Sequence, residues 1–312
     1  MQSLDLDVLN DARRWLAEGH RVSLLTEIET FGSAPRPVGS MLAIRDDGRI
    51  SGSVSGGCVE DDLILRATRG EQLALPQRLS YGVTKDEATR FGLPCGGTLE
   101  LLAEPLLDAS WIAELLKRCG EHQLVARSLD LQSGQVSLGA AERSDQLSFD
   151  GTTMRTVFGP RWRLLIIGAG QLAQILAMMA VPLGYTVLVC DPRDTYAEAW
   201  DSSLGTYLAG MPDDVVRDLP CDQHTAIAAL THDPKLDDMA LLEALRSPAF
   251  YVGALGSRAN QAKRRQRLAM FDLSPEQITR LHGPIGLYIG SRTPAEIALS
   301  ILAQITAVKN GC

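Results

Sequence analysis

Two short turns concentrate the chemistry-bearing residues of the first half of this chain: Ser55-Gly56-Gly57-Cys58 and Pro94-Cys95-Gly96-Gly97. Each sets a cysteine beside a glycine pair. Glycine reaches φ > 0 and lets backbone N–H groups come close to a bound group. A thiolate held there can ligate a soft metal or take part in sulfur transfer. Cys58 and Cys95 are therefore the candidate reactive groups and metal ligands, with Ser55, Gly56, Gly57, Gly96 and Gly97 as their cradle. The competing expectation is a pair of ordinary tight turns carrying small core cysteines, since free cysteine is among the most buried residue types. Cys58 stands where the glycines become a helix, which favours thiolate, whereas Glu60, Asp61 and Asp62 in the same turn oppose it. Electrostatics leaves its reactivity open. The spacing lacks the paired ligands of a closed zinc site. His122 or His232 is available for a Cys-His pair, and His232 is the candidate catalytic histidine, although nothing in the spacing demands it.

A second constellation lies in the other half. Leu164-Leu165-Ile166-Ile167 runs into Gly168-Ala169-Gly170-Gln171-Leu172-Ala173, a GxGxxA pattern between a strand and a helix. Gly168 makes the tight turn, Gly170 admits a phosphate, and Ala173 permits close helix–strand packing. The helix start at Gln171 offers free N–H groups to an anion. Asp191 closes the next strand, where a carboxylate can accept from a ribose hydroxyl, and Arg193 obscures the choice between NAD and NADP. Thr231-His232-Asp233 and Gly253-Ala254-Leu255-Gly256-Ser257-Arg258 follow later strands, where ligands bind in open α/β sheets. Asp233 is placed to orient the His232 ring, and Ser257 and Arg258 open a helix that forms a second anion pocket. The basic run Lys263-Arg264-Arg265-Gln266-Arg267 reads as a solvated helix face, and Thr293-Pro294-Ala295-Glu296 as a capping box.

The elements that must position these residues follow from periodicity. Helices are expected over 5–18, 59–66 and 109–119, with strands at 22–28, 40–44, 52–54, 98–103, 122–129 and 153–158. Beyond Gly159-Pro160, strands at 163–167, 185–190, 205–209, 224–230 and 249–253 alternate with helices at 171–181, 236–246, 258–270 and 294–309. That alternation implies an α/β protein with a Rossmann-like, doubly wound parallel sheet over 160–312 and a smaller mixed α/β domain over 1–159.

Composition limits the function classes. The chain has 312 residues and a formal net charge of −8, which argues against a nucleic-acid partner. Its six cysteines are scattered without a CxxC pair, no signal peptide is visible, and a reducing cytoplasm is the expected compartment. The uncharged run from Leu164 to Cys190 is long enough to span a bilayer, but glycine and proline divide it into pieces of strand and helix length. A buried parallel sheet explains it without a membrane.

Taken in order, Gly32-Ser33-Ala34-Pro35-Arg36-Pro37-Val38-Gly39-Ser40-Met41, the two cysteine turns, Gly168-Ala169-Gly170, Asp191-Pro192-Arg193, Thr231-His232-Asp233, Tyr251 to Arg258 and Gly283-Pro284-Ile285-Gly286-Leu287 resemble the XdhC/CoxI family of molybdenum hydroxylase accessory proteins. The match covers nearly the whole chain outside about 105–160. The resemblance implies a homodimer that binds and protects the molybdenum cofactor (molybdopterin) and hands it to a xanthine dehydrogenase-type hydroxylase. It also implies contact with a cysteine desulfurase that supplies the terminal sulfur. The cofactor's phosphate would suit glycine N–H pockets, and its thiophilic metal Cys58 and Cys95. Three other readings stand beside it: an NAD(P)-dependent oxidoreductase built on the GxGxxA turn, an adaptor whose Rossmann half is only a scaffold, and a redox sensor pairing Cys58 with Cys95.

Overall fold

The computed structural model describes residues 3–31, 36–71, 73–82, 98–142 and 145–312. They fall into two units, Met1–Pro160 and Arg161–Cys312.

In the first unit, β1 (Val22–Phe31) is the central strand of an antiparallel sheet ordered β3-β2-β1-β5-β4. Its other strands are β2 (Met41–Arg45), β3 (Ile50–Gly52), β4 (Gln77–Tyr81) and β5 (Thr98–Pro105). Successive side chains of a strand point to opposite faces, and both faces of this sheet are buried. Leu24 and Ala43 pack with Leu9, Ala12 and Trp15 of α1 (Ser3–Ala17). Leu25, Leu42 and Ile44 pack with Val59 and Leu63 of α2 (Cys58–Thr68). After α3 (Ser110–Gly120), a second antiparallel sheet ordered β7-β6-β9-β8 uses β6 (Val125–Asp130), β7 (Val136–Ala140), β8 (Ser148–Phe149) and β9 (Thr153–Phe158).

The strand expected at 52–54 lies two residues earlier and ends at Gly52, whose φ of 85° turns the chain out of the sheet. Strands β4, β7 and β8 were not expected. Each lies at a sheet edge, pairs on one side only and carries too much polar sequence for a strong alternation.

The second unit is a six-stranded sheet, parallel throughout, in the order β12-β11-β10-β13-β14-β15. Its strands are β10 (Trp162–Ile167), β11 (Tyr185–Cys190), β12 (Thr206–Tyr207), β13 (Thr225–Ala229), β14 (Tyr251–Ala254) and β15 (Leu281–His282). The chain reverses its winding between β10 and β13, which is the switch point of a doubly wound fold. On one face lie α4 (Gln171–Ala180) and the long α10 (Pro294–Lys309). On the other lie α6 (Pro212–Asp218), α7 (Pro234–Arg246) and α8 (Arg258–Leu268). Two further short helices, α5 (Asp194–Glu198) and α9 (Pro275–Thr279), complete the set. Leu164–Cys190 is thus divided among β10, α4, a 3-10 turn at Val181–Leu183 and β11. No helix among the described residues is long and apolar enough to cross a membrane.

Candidate functional site

Cys58 is the first residue of α2 and is solvent-exposed, so the buried-cysteine expectation fails for this turn. The chain reaches it by a bend in which the Ser53 N–H donates to the Met41 carbonyl at 3.0 Å. The N–H groups of Val54, Ser55, Gly56 and Gly57 then donate to the Glu60 carboxylate at 2.8 to 3.0 Å. The Ser53 hydroxyl joins them at 2.8 Å, and the Ser55 hydroxyl makes a short bond to the second oxygen. Burial works to raise the Glu60 pKa, but the Ser55 hydroxyl and the backbone donors outweigh it and hold the group at about 2. The expectation of bare N–H groups is corrected here: the nest exists, and the chain's own carboxylate fills it. Gly56 adopts φ 77°, the conformation that lets these donors converge. Asp62 is likewise occupied, by Arg66 at 2.8 Å and by the Tyr81 hydroxyl at 3.0 Å.

The partner turn, with Cys95, Gly96 and Gly97, lies outside the described residues. Among those described, no group of three or more His, Cys, Asp or Glu side chains could hold a metal ion. Cys119 and Cys190 are buried, and burial pushes their thiols up to about 11 and about 12. That leaves Cys58 and Cys312 as the exposed thiols among the described residues.

In the second unit, Gly168 adopts φ 105°, and a Cβ there would lie 3.0 Å from the Thr231 nitrogen and 3.1 Å from the Leu230 carbonyl carbon. The glycine is required for close packing against the loop after β13, before any ligand is considered. Gly170 precedes α4 without a side-chain cap, and Gln171 is exposed beside it, so this helix start keeps its donors available. Asp191 departs from expectation. It is fully buried and accepts from the Ala169 N–H at 2.9 Å and from three nitrogens of Arg193 at 2.7 to 3.1 Å. Burial opposes its charge, but the Arg193 and Ala169 bonds hold it below the usual carboxylate range. The carboxylate braces the glycine turn and has no oxygen left for a ribose hydroxyl. Arg193 in turn stacks on Tyr196 at 4.0 Å.

The loops after β13 and β14 also differ from expectation. His232 is exposed with φ 62°, and Asp233 does not orient its ring, because its carboxylate caps α7 by accepting from the Lys235 N–H at 2.8 Å. The Ser257 hydroxyl caps α8 through the Asn260 N–H at 3.2 Å, while Arg258 stays exposed, 6.0 Å from the Tyr288 ring. The basic run is a solvated face only in part, at Lys263 and Gln266. Arg264 is buried and donates to Asp238 at 2.8 Å, Asp237 at 3.1 Å and the Leu255 carbonyl at 3.0 Å. Arg265 donates to the Ile278 and Leu281 carbonyls at 2.7 and 2.6 Å.

One residue escaped the sequence reading. Glu27 is fully buried on β1, neither of its carboxylate oxygens has a partner among the described residues, and burial pushes its pKa up to about 7. Its partner across the sheet is Leu101, which lies with Leu25 in the apolar cluster under α2. The signal was a glutamate inside an otherwise strand-like run, Val22 to Phe31.

Comparison with known proteins decides the family. A model described as the XdhC Rossmann domain matches residues 164–305, and one described as the XdhC and CoxI family matches residues 15–82. The chain belongs to the XdhC/CoxI family. Among XdhC/CoxI relatives it is similar to the molybdenum cofactor insertion chaperone PaoD of Escherichia coli, at 29% identity over 97% of this chain and 88% of that protein. It is 26% identical to a Bacillus subtilis protein named as a probable xanthine dehydrogenase component, over 93% of this chain and 94% of that one. The E. coli protein YqeB is 25% identical over 98% of this chain, which spans 47% of YqeB. A crystal structure of a Bacillus halodurans protein described as a xanthine dehydrogenase superposes with a TM-score of 0.80 at 23% identity, covering 100% of this chain and 96% of that one. That likeness shows a shared fold.

Proposed function

We propose that this chain holds the molybdenum cofactor during its maturation and passes it to a xanthine dehydrogenase-type molybdenum hydroxylase. The observation that carries this reading is the exposed Cys58 thiol on a rigid glycine turn, in a chain related to a cofactor insertion chaperone. The cofactor is cargo here. A soft thiolate suits its molybdenum, and the nest around Glu60 keeps that thiol fixed at the helix start. The same nest is filled and offers no donors to a phosphate, whereas the uncapped start of α4, beside Gly170 and Gln171, is by itself a place for an anion in the second unit. Sulfur supply by a cysteine desulfurase, a homodimeric state, a cytoplasmic setting and a second metal contact from Cys95 belong to the same proposal.

A nicotinamide-dependent oxidoreductase is the weaker reading, because Asp191 is committed to Arg193 and Ala169. Retention decides the matter. Protein purified from cells that make the cofactor is assayed for molybdenum and pterin. Cys58→Ser is expected to lower both about tenfold with an unchanged melting temperature, in line with loss of one strong metal ligand. Equal content in the variant and the parent overturns the role of Cys58.

A further inference from the structure

Beside the glycine turn, between the loop after β13 and the start of α8, lies a cleft of about 170 Å³. Its walls include His232, Gly256, Asn260, Lys263, Arg264 and Arg267. We propose that this cleft is a separate anion site that takes a phosphate-bearing ligand on Lys263, Arg267 and the Gly256 N–H. Three observations lead there.

The first is charge. Arg264 spends its Nε, Nη1 and Nη2 on Asp238, the Leu255 carbonyl and Asp237, so it is framework. Arg267 gives only its Nε to Asp238, at 2.6 Å, and keeps its outer nitrogens. Lys263 has no ion-pair partner among the described residues and is the uncompensated charge of the cleft. The second is donor geometry. Gly256 turns at φ 142°, its N–H makes no hydrogen bond among the described residues, and α8 starts two residues later with no acid in its first turn. An ammonium, a free backbone N–H and a helix start together suit a phosphate. The third is rigidity. Asp237 is buried and takes the Thr231 N–H and hydroxyl, at 3.1 and 2.7 Å, while Arg264 ties it to the β14 loop. The walls are fixed before a ligand arrives, which reduces the entropy lost on binding. His232, a non-glycine residue held at φ 62°, projects from the same rigid loop as a further donor.

Gly168 packs against Thr231, so the cleft continues the sheet edge that carries the glycine turn. The cleft does not depend on molybdenum handling, and its test has a separate readout. Titration calorimetry of the full chain uses inorganic pyrophosphate and ADP as probes, with two exposed residues varied: Lys263→Gln and, as a charge-matched control outside the cleft, Arg292→Gln. Pyrophosphate is expected to bind with an affinity that falls with salt, about tenfold more weakly in Lys263→Gln and within about twofold of the parent in Arg292→Gln. Tighter binding of ADP identifies a nucleotide phosphate as the ligand, and equal binding an isolated phosphate or pyrophosphate; both support the site. Absence of saturable binding at about 5 mM of either probe, or equal affinity in Lys263→Gln and the parent, overturns it.

Discussion

At the scale of single residues, Glu60 and Glu27 are opposite cases of one carboxylate in one small unit. Glu60 accepts from four backbone N–H groups and two serine hydroxyls. Glu60→Ala leaves the buried Val54 and Ser55 donors unmatched, at about 1–3 kcal/mol for each unsatisfied group. The expected result is a loss of roughly 3 kcal/mol in urea unfolding, with molybdenum retention falling as the Cys58 turn loosens. Because its folded pKa of about 2 lies below the usual 4.5, the stability Glu60 contributes is complete above pH 4.5 and is lost as pH falls towards 2. Glu27 behaves in reverse. Its folded pKa of about 7 lies above 4.5, so its contribution is complete below pH 4.5 and disappears as pH rises through 7. Glu27→Gln is therefore expected to raise stability at pH 8 by roughly 2–3 kcal/mol and to change little at pH 4, measured by denaturant unfolding at both pH values. An unchanged pH 8 midpoint would show that the buried carboxylate is paired in solution.

At the scale of elements, the GxGxxA turn separates two glycines that look equivalent in the sequence. Gly168 combines φ 105° with backbone 3.0 Å from its Cβ position, whereas the nearest atom to a Cβ on Gly170 is the Tyr196 ring at 3.8 Å. Gly168→Ala is expected to destabilise the second unit by about 2–4 kcal/mol, and Gly170→Ala by less than about 1 kcal/mol. Thermal unfolding of the two variants checks the difference. A phosphate bound at the α4 start should be lost in Gly170→Ala with a fall in melting temperature of no more than about 4 °C. Capping followed the sequence where a side chain supplied it: Thr293 accepts from the Glu296 N–H at 3.3 Å, and Glu296 returns the bond to the Thr293 N–H at 2.9 Å. It misled where one residue type serves two purposes. Ser257 reads as a ligand contact and Asp233 as the group that orients His232, and both prove to be helix caps.

At the scale of the whole molecule, the formal net charge of −8 opposes the counterion release that drives proteins onto nucleic acid. No saturable retention of duplex DNA is expected in filter binding at low salt, and saturable retention would show a basic face that the total conceals.

The sequence by itself determined the parallel sheet, the position of its glycine turn and the family, because strand and helix periods and glycine requirements are local properties read within a few residues. Periodicity located β10, β11, β13 and β14 to within a few residues. Only the tertiary structure decided which charges are free. Asp191, Asp237 and Glu60 are each engaged by donors that the fold brings onto them, and Arg264 of the basic run is turned inward while its neighbour Lys263 keeps an open charge. A hydrogen bond depends on distances of a few tenths of an ångström, often between residues remote in the chain, and no spacing in the sequence encodes those distances.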